Sequence, residues 1–221
     1  MRRGVAQCMR QWMPAGLWEG PADRPLVALT FDDAPHREVT AQILDTLARL
    51  QVPATFFVIG GRAERNPELV RRMQAEGHDV GNHTWSHRPL AYGLGHSPYE
   101  ELARTEALLT ELAPGSPRIF RPPFGYIGPG GAAVLRRTEL LPVYWSVIPA
   151  DWDPLPGKIV ERRVLTAIHP GAVVVLHCGQ SWHRGTAEAL EGMVRGVRER
   201  GLELVTVRRM LAEMGRAVEL R

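Results

Sequence analysis

About seven times along this chain, a short apolar run rich in β-formers gives way to a stretch with helical spacing. That alternation limits the fold more than any other feature. PLVALTF, residues 25–31, leads into REVTAQILDTLARLQ, where Val39, Ile43, Leu44, Leu47 and Leu50 recur near a helical period. ATFFVIG (54–60) precedes a helix expected over about 66–76, closed by Gly77. HDVGN is followed by SPYEELARTEALLTEL, which opens with Ser97 as N-cap and Pro98 at the first helical position. RIF, a weak helix over 129–139, LPVYWSV (141–147), KIVERRVLTAI, AVVVLH (172–177), a helix across 185–200 and LELVTV (202–207) complete the series. A strand as apolar as AVVVLH is covered on both faces, so the pattern predicts a parallel sheet flanked by helices.

The polar groups decide between an open sheet and a barrel. Asp32, Asp33, His83, Arg121, Asp151 and His177 fall at or just beyond the C-terminal ends of successive strands. A barrel gathers those ends around one cup, whereas an open sheet spreads them along an edge. The expected unit is a single α/β domain over residues 24–215, preceded by a tail over 1–23.

Composition removes several classes. Lys plus Arg is 27 against 24 Asp plus Glu, a net charge of +3, and the paired arginines are scattered through helical patterns, so no nucleic-acid footprint is expected. No apolar run is long enough to cross a bilayer as a helix. The two cysteines, Cys8 and Cys178, make no disulfide framework. MRRGVAQCMRQWMPAGLW lacks the continuous apolar core of a secretory signal. The default expectation is therefore a cytoplasmic protein, or an exported one if an N-terminal segment is missing. Oligomeric state is not legible.

The chemistry starts at NHTWSH, residues 82–87. On a helical turn His83 and His87, four apart, would share a face and reach one point. Neutral imidazoles suit zinc, which in a catalytic site takes a third protein ligand and keeps a position open. TFDDAPH offers two adjacent carboxylates, Asp32 and Asp33. One can complete a His-His-Asp set while the other accepts the proton of a metal-activated water. Arg121, opening RPPFG, can clamp a carboxylate. His177 can protonate a leaving amine, and Asp151 can hold its ring and favour the protonated form.

TFDD, HTWSH, RPPFG, DW and LH, in this order over residues 24–210, resemble the motifs of the polysaccharide deacetylases, the NodB-homology domain of carbohydrate esterase family four. The resemblance implies a distorted, incompletely closed (β/α) barrel of about seven parallel strands. It also implies metal-dependent removal of N-acetyl groups from amino sugars in peptidoglycan or chitin-like polymers. By that match Asp32 is the general base and Asp33, His83 and His87 bind a divalent ion, zinc in first place with cobalt as a substitute. Arg121 orients the base, the Phe124 backbone N–H belongs to an oxyanion hole, and Asp151 tunes the acid His177. Trp152 and Leu176 line the substrate groove and acetyl pocket. Alternatives are a related amidohydrolase acting on a non-sugar C–N bond, or a non-catalytic carbohydrate-binding protein on the same scaffold.

Three positions depart from the family pattern: Ala34 for glycine, Ile148 for an aspartate and Cys178 for another aspartate. A methyl at Ala34 would resist a left-handed backbone, and Cys178 reads as a small buried residue. Candidate groove aromatics are Trp85, Tyr92, Tyr126, Trp152 and Trp182, with Trp145 expected in the core. His183 is a further possible substrate contact, while His36, His96 and His169 read as ordinary polar positions.

Overall fold

The computed structural model describes residues 13–91, 95 and 97–221; Cys8, Tyr92 and His96, for which expectations are given above, lie outside them. Strands β1 (Leu26–Ala34), β2 (Thr55–Val58), β3 (Asp79–Asn82), β4 (Ile119–Phe120), β5 (Leu141–Pro142), β6 (Ala172–His177) and β7 (Glu203–Leu204) alternate with helices. The helices are α1 (Val39–Leu50), α2 (Gly60–Ala63), α3 (Pro67–Ala75), α4 (Pro98–Leu112), α5 (Gly131–Thr138), α6 (Gly157–Ala167), α7 (Arg184–Arg198) and α8 (Val207–Glu213). Ser97 caps α4 as expected, its side chain accepting from Glu100 N–H. The short α2 has no signal in the sequence beyond Gly60 and Gly61.

The sheet runs β5-β4-β3-β2-β1-β6, with β7 also against β1, and every pairing is parallel. Beyond β5 the chain continues to Val147, which bridges in parallel to Val174 of β6. That bridge draws the two ends of the sheet together into a curled, incompletely closed barrel. Strand alternation then separates two cores. Val27, Leu29, Phe31, Phe56, Val58 and Val174 pack outward under the helices. Leu26, Ala28, Phe57, Ile119, Val143 and Val173 fill the inside. Thr30 and Asp32 continue the inward face of β1, as Val175 and His177 do for β6.

Two expected strands are shorter than their apolar runs. Only Leu141–Pro142 of LPVYWSV pairs with β4: Val143 N–H still donates to Phe120 O, but the Leu17 segment then takes over, with Leu17 N–H donating to Pro142 O and Tyr144 N–H donating to Leu17 O. In LELVTV, Thr206 leaves the sheet to cap α8, accepting from Arg209 N–H. The ordered packing also extends past both ends of the expected domain. Leu17 is buried and Trp18 stacks on Tyr144 at 4.1 Å, while the Arg221 guanidinium donates to Glu106 and to the Val80 and Pro117 carbonyls.

Candidate active site

A cleft of about 610 Å³ opens at the C-terminal end of the barrel, lined among others by Asp32, Asp33, His83, His87, Phe124, Trp152 and His177. Register brings the first pair of groups together. In the β1–β6 ladder Asp32 lies directly opposite His177, so two side chains 145 positions apart in sequence share one rung and one face.

Asp32 is 3% exposed. Its Oδ1 accepts from Arg121 Nη1 at 2.7 Å. The fully buried Arg121 guanidinium also donates to Thr30 Oγ1 (2.6 Å), Val143 O (3.1 Å) and Tyr144 O (2.9 Å). It lies over the Phe57 ring at 4.2 Å. Burial pulls its pKa down and the Asp32 carboxylate opposes that. Four of the five guanidinium N–H groups thus have partners, and Asp32 is the one anion among these partners.

Asp33 turns away from this pair through a left-handed backbone, φ 68°. Its Oδ1 lies 3.6 Å from His83 Nε2 and 3.3 Å from His87 Nε2, is buried and makes no hydrogen bond. The ligand atoms of Asp33, His83 and His87 all fall within 4.8 Å of one another. His83 Nδ1–H donates to the Arg121 carbonyl at 2.7 Å, which leaves Nε2 with a free lone pair toward Asp33. Burial, then the neighbouring His87, lowers the His83 pKa to about 3, and burial also lowers that of His87. Neutral imidazoles beside an unsatisfied carboxylate oxygen fit a divalent cation well.

The route by which the histidines meet is not the helical turn expected. Residues 83–87 form a loop in which Thr84 (φ 64°) and His87 (φ 60°) are left-handed. Gly60 and Gly61 N–H groups donate to the Thr84 and Trp85 carbonyls. The Glu101 carboxylate accepts from the Trp85 and Ser86 N–H groups and from Ser86 Oγ. These contacts turn Trp85 outward, against Gly60 and Gly61 and under the Arg104 guanidinium at 3.4 Å. Trp85 is therefore not a groove residue, and Tyr126 does not line the cleft either.

His177 Nδ1–H donates to Asp151 Oδ1 at 2.8 Å, and Asp151 Oδ2 accepts from His177 N–H (2.8 Å) and Thr186 Oγ1 (2.7 Å). Burial works to lower the His177 pKa. The hydrogen bond and charge of Asp151, with Asp32 and Asp33 behind it, outweigh burial and raise it to about 9. A cation at Asp33 would cancel part of that last contribution.

Leu176, expected to line the acetyl pocket, does not line the cleft. Leu176 packs outward with Phe31 and Val58, and Val175, on the inward phase of β6, lines the cleft. Trp152 and Trp182 line it as expected, with Trp182 Nε1–H donating to Trp152 O. Trp145, expected in the core, lines it too, together with Trp18, Tyr144, Ile148 and His183. Trp18 lies in the supposed tail, and no spacing in the sequence pointed to it. Cys178 is buried as expected, and burial raises its thiol pKa. Ala34 is not left-handed, since the turn falls on Asp33, so its methyl is unopposed.

Sequence reasoning also missed Arg62, whose Nη1 donates to the carbonyls of Asp33 (2.6 Å) and Gly179 (2.7 Å). A Cβ at Gly179 would run into the Asp33 carbonyl oxygen, a backbone atom that cannot swing aside. Gly179→Ala is expected to cost about 1–3 kcal/mol of stability and to weaken metal binding. Thermal unfolding and a metal titration check both. Five of the seven left-handed non-glycine residues described (Asp33, Thr84, His87, Phe124 and Ala150) border this site, and the other two, Gln51 and Glu139, end helices. Such conformations cost free energy and concentrate where geometry is imposed. Phe124 is one of them (φ 60°, ψ 8°), with its ring edge-on to His87. The hydrogen bonds of its turn, Gly125 N–H to Pro122 O and Tyr126 N–H to Pro123 O, do not use its N–H.

Residues 19–142 match the polysaccharide deacetylase family. The chain is 36% identical over 191 residues to a peptidoglycan-N-acetylglucosamine deacetylase of Bacillus cereus, covering 86% of this chain and 70% of that one. It is 38% identical over 190 residues to a chitooligosaccharide deacetylase of Bradyrhizobium, covering 80% and 87%. It spans only 39% of a Listeria monocytogenes peptidoglycan-N-acetylglucosamine deacetylase to which it is 35% identical over 85% of its own length. Among solved structures, a peptidoglycan N-acetylglucosamine deacetylase bound to a substituted benzamide superposes with TM-score 0.82 at 35% identity, covering 88% and 91%. A Bacillus anthracis carbohydrate esterase family four pseudoenzyme superposes with TM-score 0.82 at 26% identity, covering 94% and 72%. Family match, fold and metal-ligand cluster agree: the chain belongs to the polysaccharide deacetylases, carbohydrate esterase family four.

Proposed function

We propose that this protein hydrolyses the acetamide of N-acetylated amino sugars, of the peptidoglycan or chitin-like kind, releasing acetate and a free amine. The observation that carries the reading is the shared rung of Asp32 and His177 beside the Asp33, His83, His87 cluster. Base, acid and metal set then face one point. A divalent ion, zinc by preference, held by Asp33, His83 and His87 would act as a Lewis acid on the carbonyl and acidify water.

The chain's own residues do the rest. Asp32, held by Arg121, accepts the proton of the attacking water. The Phe124 N–H donates to the oxygen that becomes an oxyanion. His177 Nε2–H gives its proton to the departing nitrogen as the C–N bond breaks, while Asp151 holds Nδ1–H and stabilises the imidazolium. Trp152 and Trp182 offer flat faces to a sugar ring on the leaving-group side. A binding-only protein would have no need of the Arg121–Asp32 and Asp151–His177 pairs, and both are intact here.

Chelation is the direct test. Removing divalent ions is expected to lower acetate release from chitin oligomers or peptidoglycan by about 10²-fold or more, because the ion supplies several kcal/mol. Zinc or cobalt restores it. Unchanged turnover after chelation, with elemental analysis confirming metal loss, would remove the metal from the reaction.

A further inference from the structure

Four directions leave a carbonyl carbon under attack, and three are assigned above. Water arrives beside Asp32, the oxygen turns toward the metal ligands and the Phe124 N–H, and the nitrogen faces His177. The fourth direction belongs to the acyl substituent, and the cleft that holds the other three is also lined by the apolar side chains of Val175, Ile148, Trp145, Tyr144 and Trp18. Val175 lies two residues before His177 on the same inward face. The Val147–Val174 bridge sets Ile148 beside it. The Trp145 ring underlies the turn that carries Phe124, since a Cβ on Gly125 would come within 2.6 Å of it. The stacked pair Tyr144 and Trp18 extends the wall further. Ile148 stands where the family pattern places an aspartate, so the cleft lining carries an apolar side chain here in place of a charge.

We infer that the wall of Trp145, Ile148 and Val175, continued by Tyr144 and Trp18, is an acyl-chain site that takes N-acyl groups longer than acetyl. The inference rests on the C–N hydrolase reading above and uses the same step. Water adds to the carbonyl, Asp32 takes its proton, the C–N bond breaks and His177 protonates the amine. Only the carboxylate released is longer. Each methylene moved from water onto the wall is worth about three- to fourfold in kcat/KM.

The test uses the metal-loaded protein with N-acetyl-, N-butyryl- and N-hexanoylglucosamine, and in parallel the 4-nitrophenyl esters of the same acids. Butyryl is expected to exceed acetyl about tenfold in kcat/KM in both series. Ile148→Asp should reverse the butyryl-to-acetyl ratio, and Ile148→Ala should reduce it if the aspartate variant folds poorly. Titration with hexanoate should perturb the tryptophan emission at lower concentration than acetate does, a readout independent of turnover. A preference for acetyl of tenfold or more in both series overturns the inference. So does a rate that follows the apolarity of the leaving group instead of the acyl chain. If the esters show the chain-length preference while no glucosamine amide is cleaved, the acyl site stands and the sugar reading falls. If N-acetylglucosamine is cleaved and the longer amides and esters are not, the reverse holds.

Discussion

Asp32→Asn is expected to lower kcat for acetate release by about 10²–10⁴-fold while leaving the metal content near that of the wild type. The amide keeps the shape and can still accept from Arg121, but it cannot take a proton from water. A second consequence follows from burial. Arg121 is fully buried and Asp32 is the anion bound to it, so the substitution leaves a guanidinium without its counter-charge, a change that costs about 3–5 kcal/mol. The thermal midpoint should therefore fall with the activity. Elemental analysis separates this from a metal effect. If the variant loses its ion in proportion to its rate, the roles given to Asp32 and Asp33 are exchanged.

For His177 the informative quantity is a ratio. An amide leaves as an amine only if it is protonated, whereas an activated phenolate leaves unaided. His177→Gln should cut release of acetate from an N-acetyl sugar by about 10²–10⁴-fold, with a much smaller loss on an aryl acetate. Equal losses on both, with fold and metal intact, would make the residue a wall and not an acid. Asp151→Asn adds a pH test. The folded-state pKa of His177 is raised to about 9, so the acid form persists to alkaline pH and its loss should set the basic limb of the pH–rate profile. Without the carboxylate that limb should move toward lower pH. Its rate should drop as well, because Asp151 accepts three hydrogen bonds, from His177 Nδ1, His177 N–H and Thr186. An asparagine must present its NH₂ to a donor or to the ring nitrogen it should be holding. A basic limb unmoved by this change would show that the carboxylate does not tune His177.

Most of the inner site was legible in the sequence because its groups close apolar strands, and the C-terminal ends of parallel strands converge. Asp32 and Asp33 lie at the end of β1, His83 and Arg121 directly follow β3 and β4, and His177 ends β6, whereas Asp151 sits in the connection well beyond β5. What failed was local phase. LH at the end of β6 does not say which residue points inward, and alternation assigns Val175, not Leu176. A four-residue spacing of histidines suggested a helix where two left-handed residues and the Glu101 carboxylate make a loop. Groups held by tertiary contact alone were invisible. Arg62 reaches Asp33 from a helix with no strong sequence signal. Trp18 comes from a segment that looked like a tail and joins the cleft only because Leu17 bonds beside β5.

The placement of Asp32 opposite His177 has a consequence for how the protein loses activity on heating. Six consecutive register pairs, Val27–Ala172 through Asp32–His177, bind β1 to β6. Ladder amides of that kind open last, close to global unfolding, whereas loops held by few contacts open earlier. The separation of Asp32 and His177 is thus as durable as the fold itself. The metal-binding loop at 83–87, held by a few backbone bonds and the Glu101 carboxylate outside the ladder, and the tryptophans around the cleft sit lower on the same scale. Heat should loosen ion retention and substrate grip before it disturbs the base and the acid. Inactivation would then start as a fault of capture, with the proton relay still aligned beneath it.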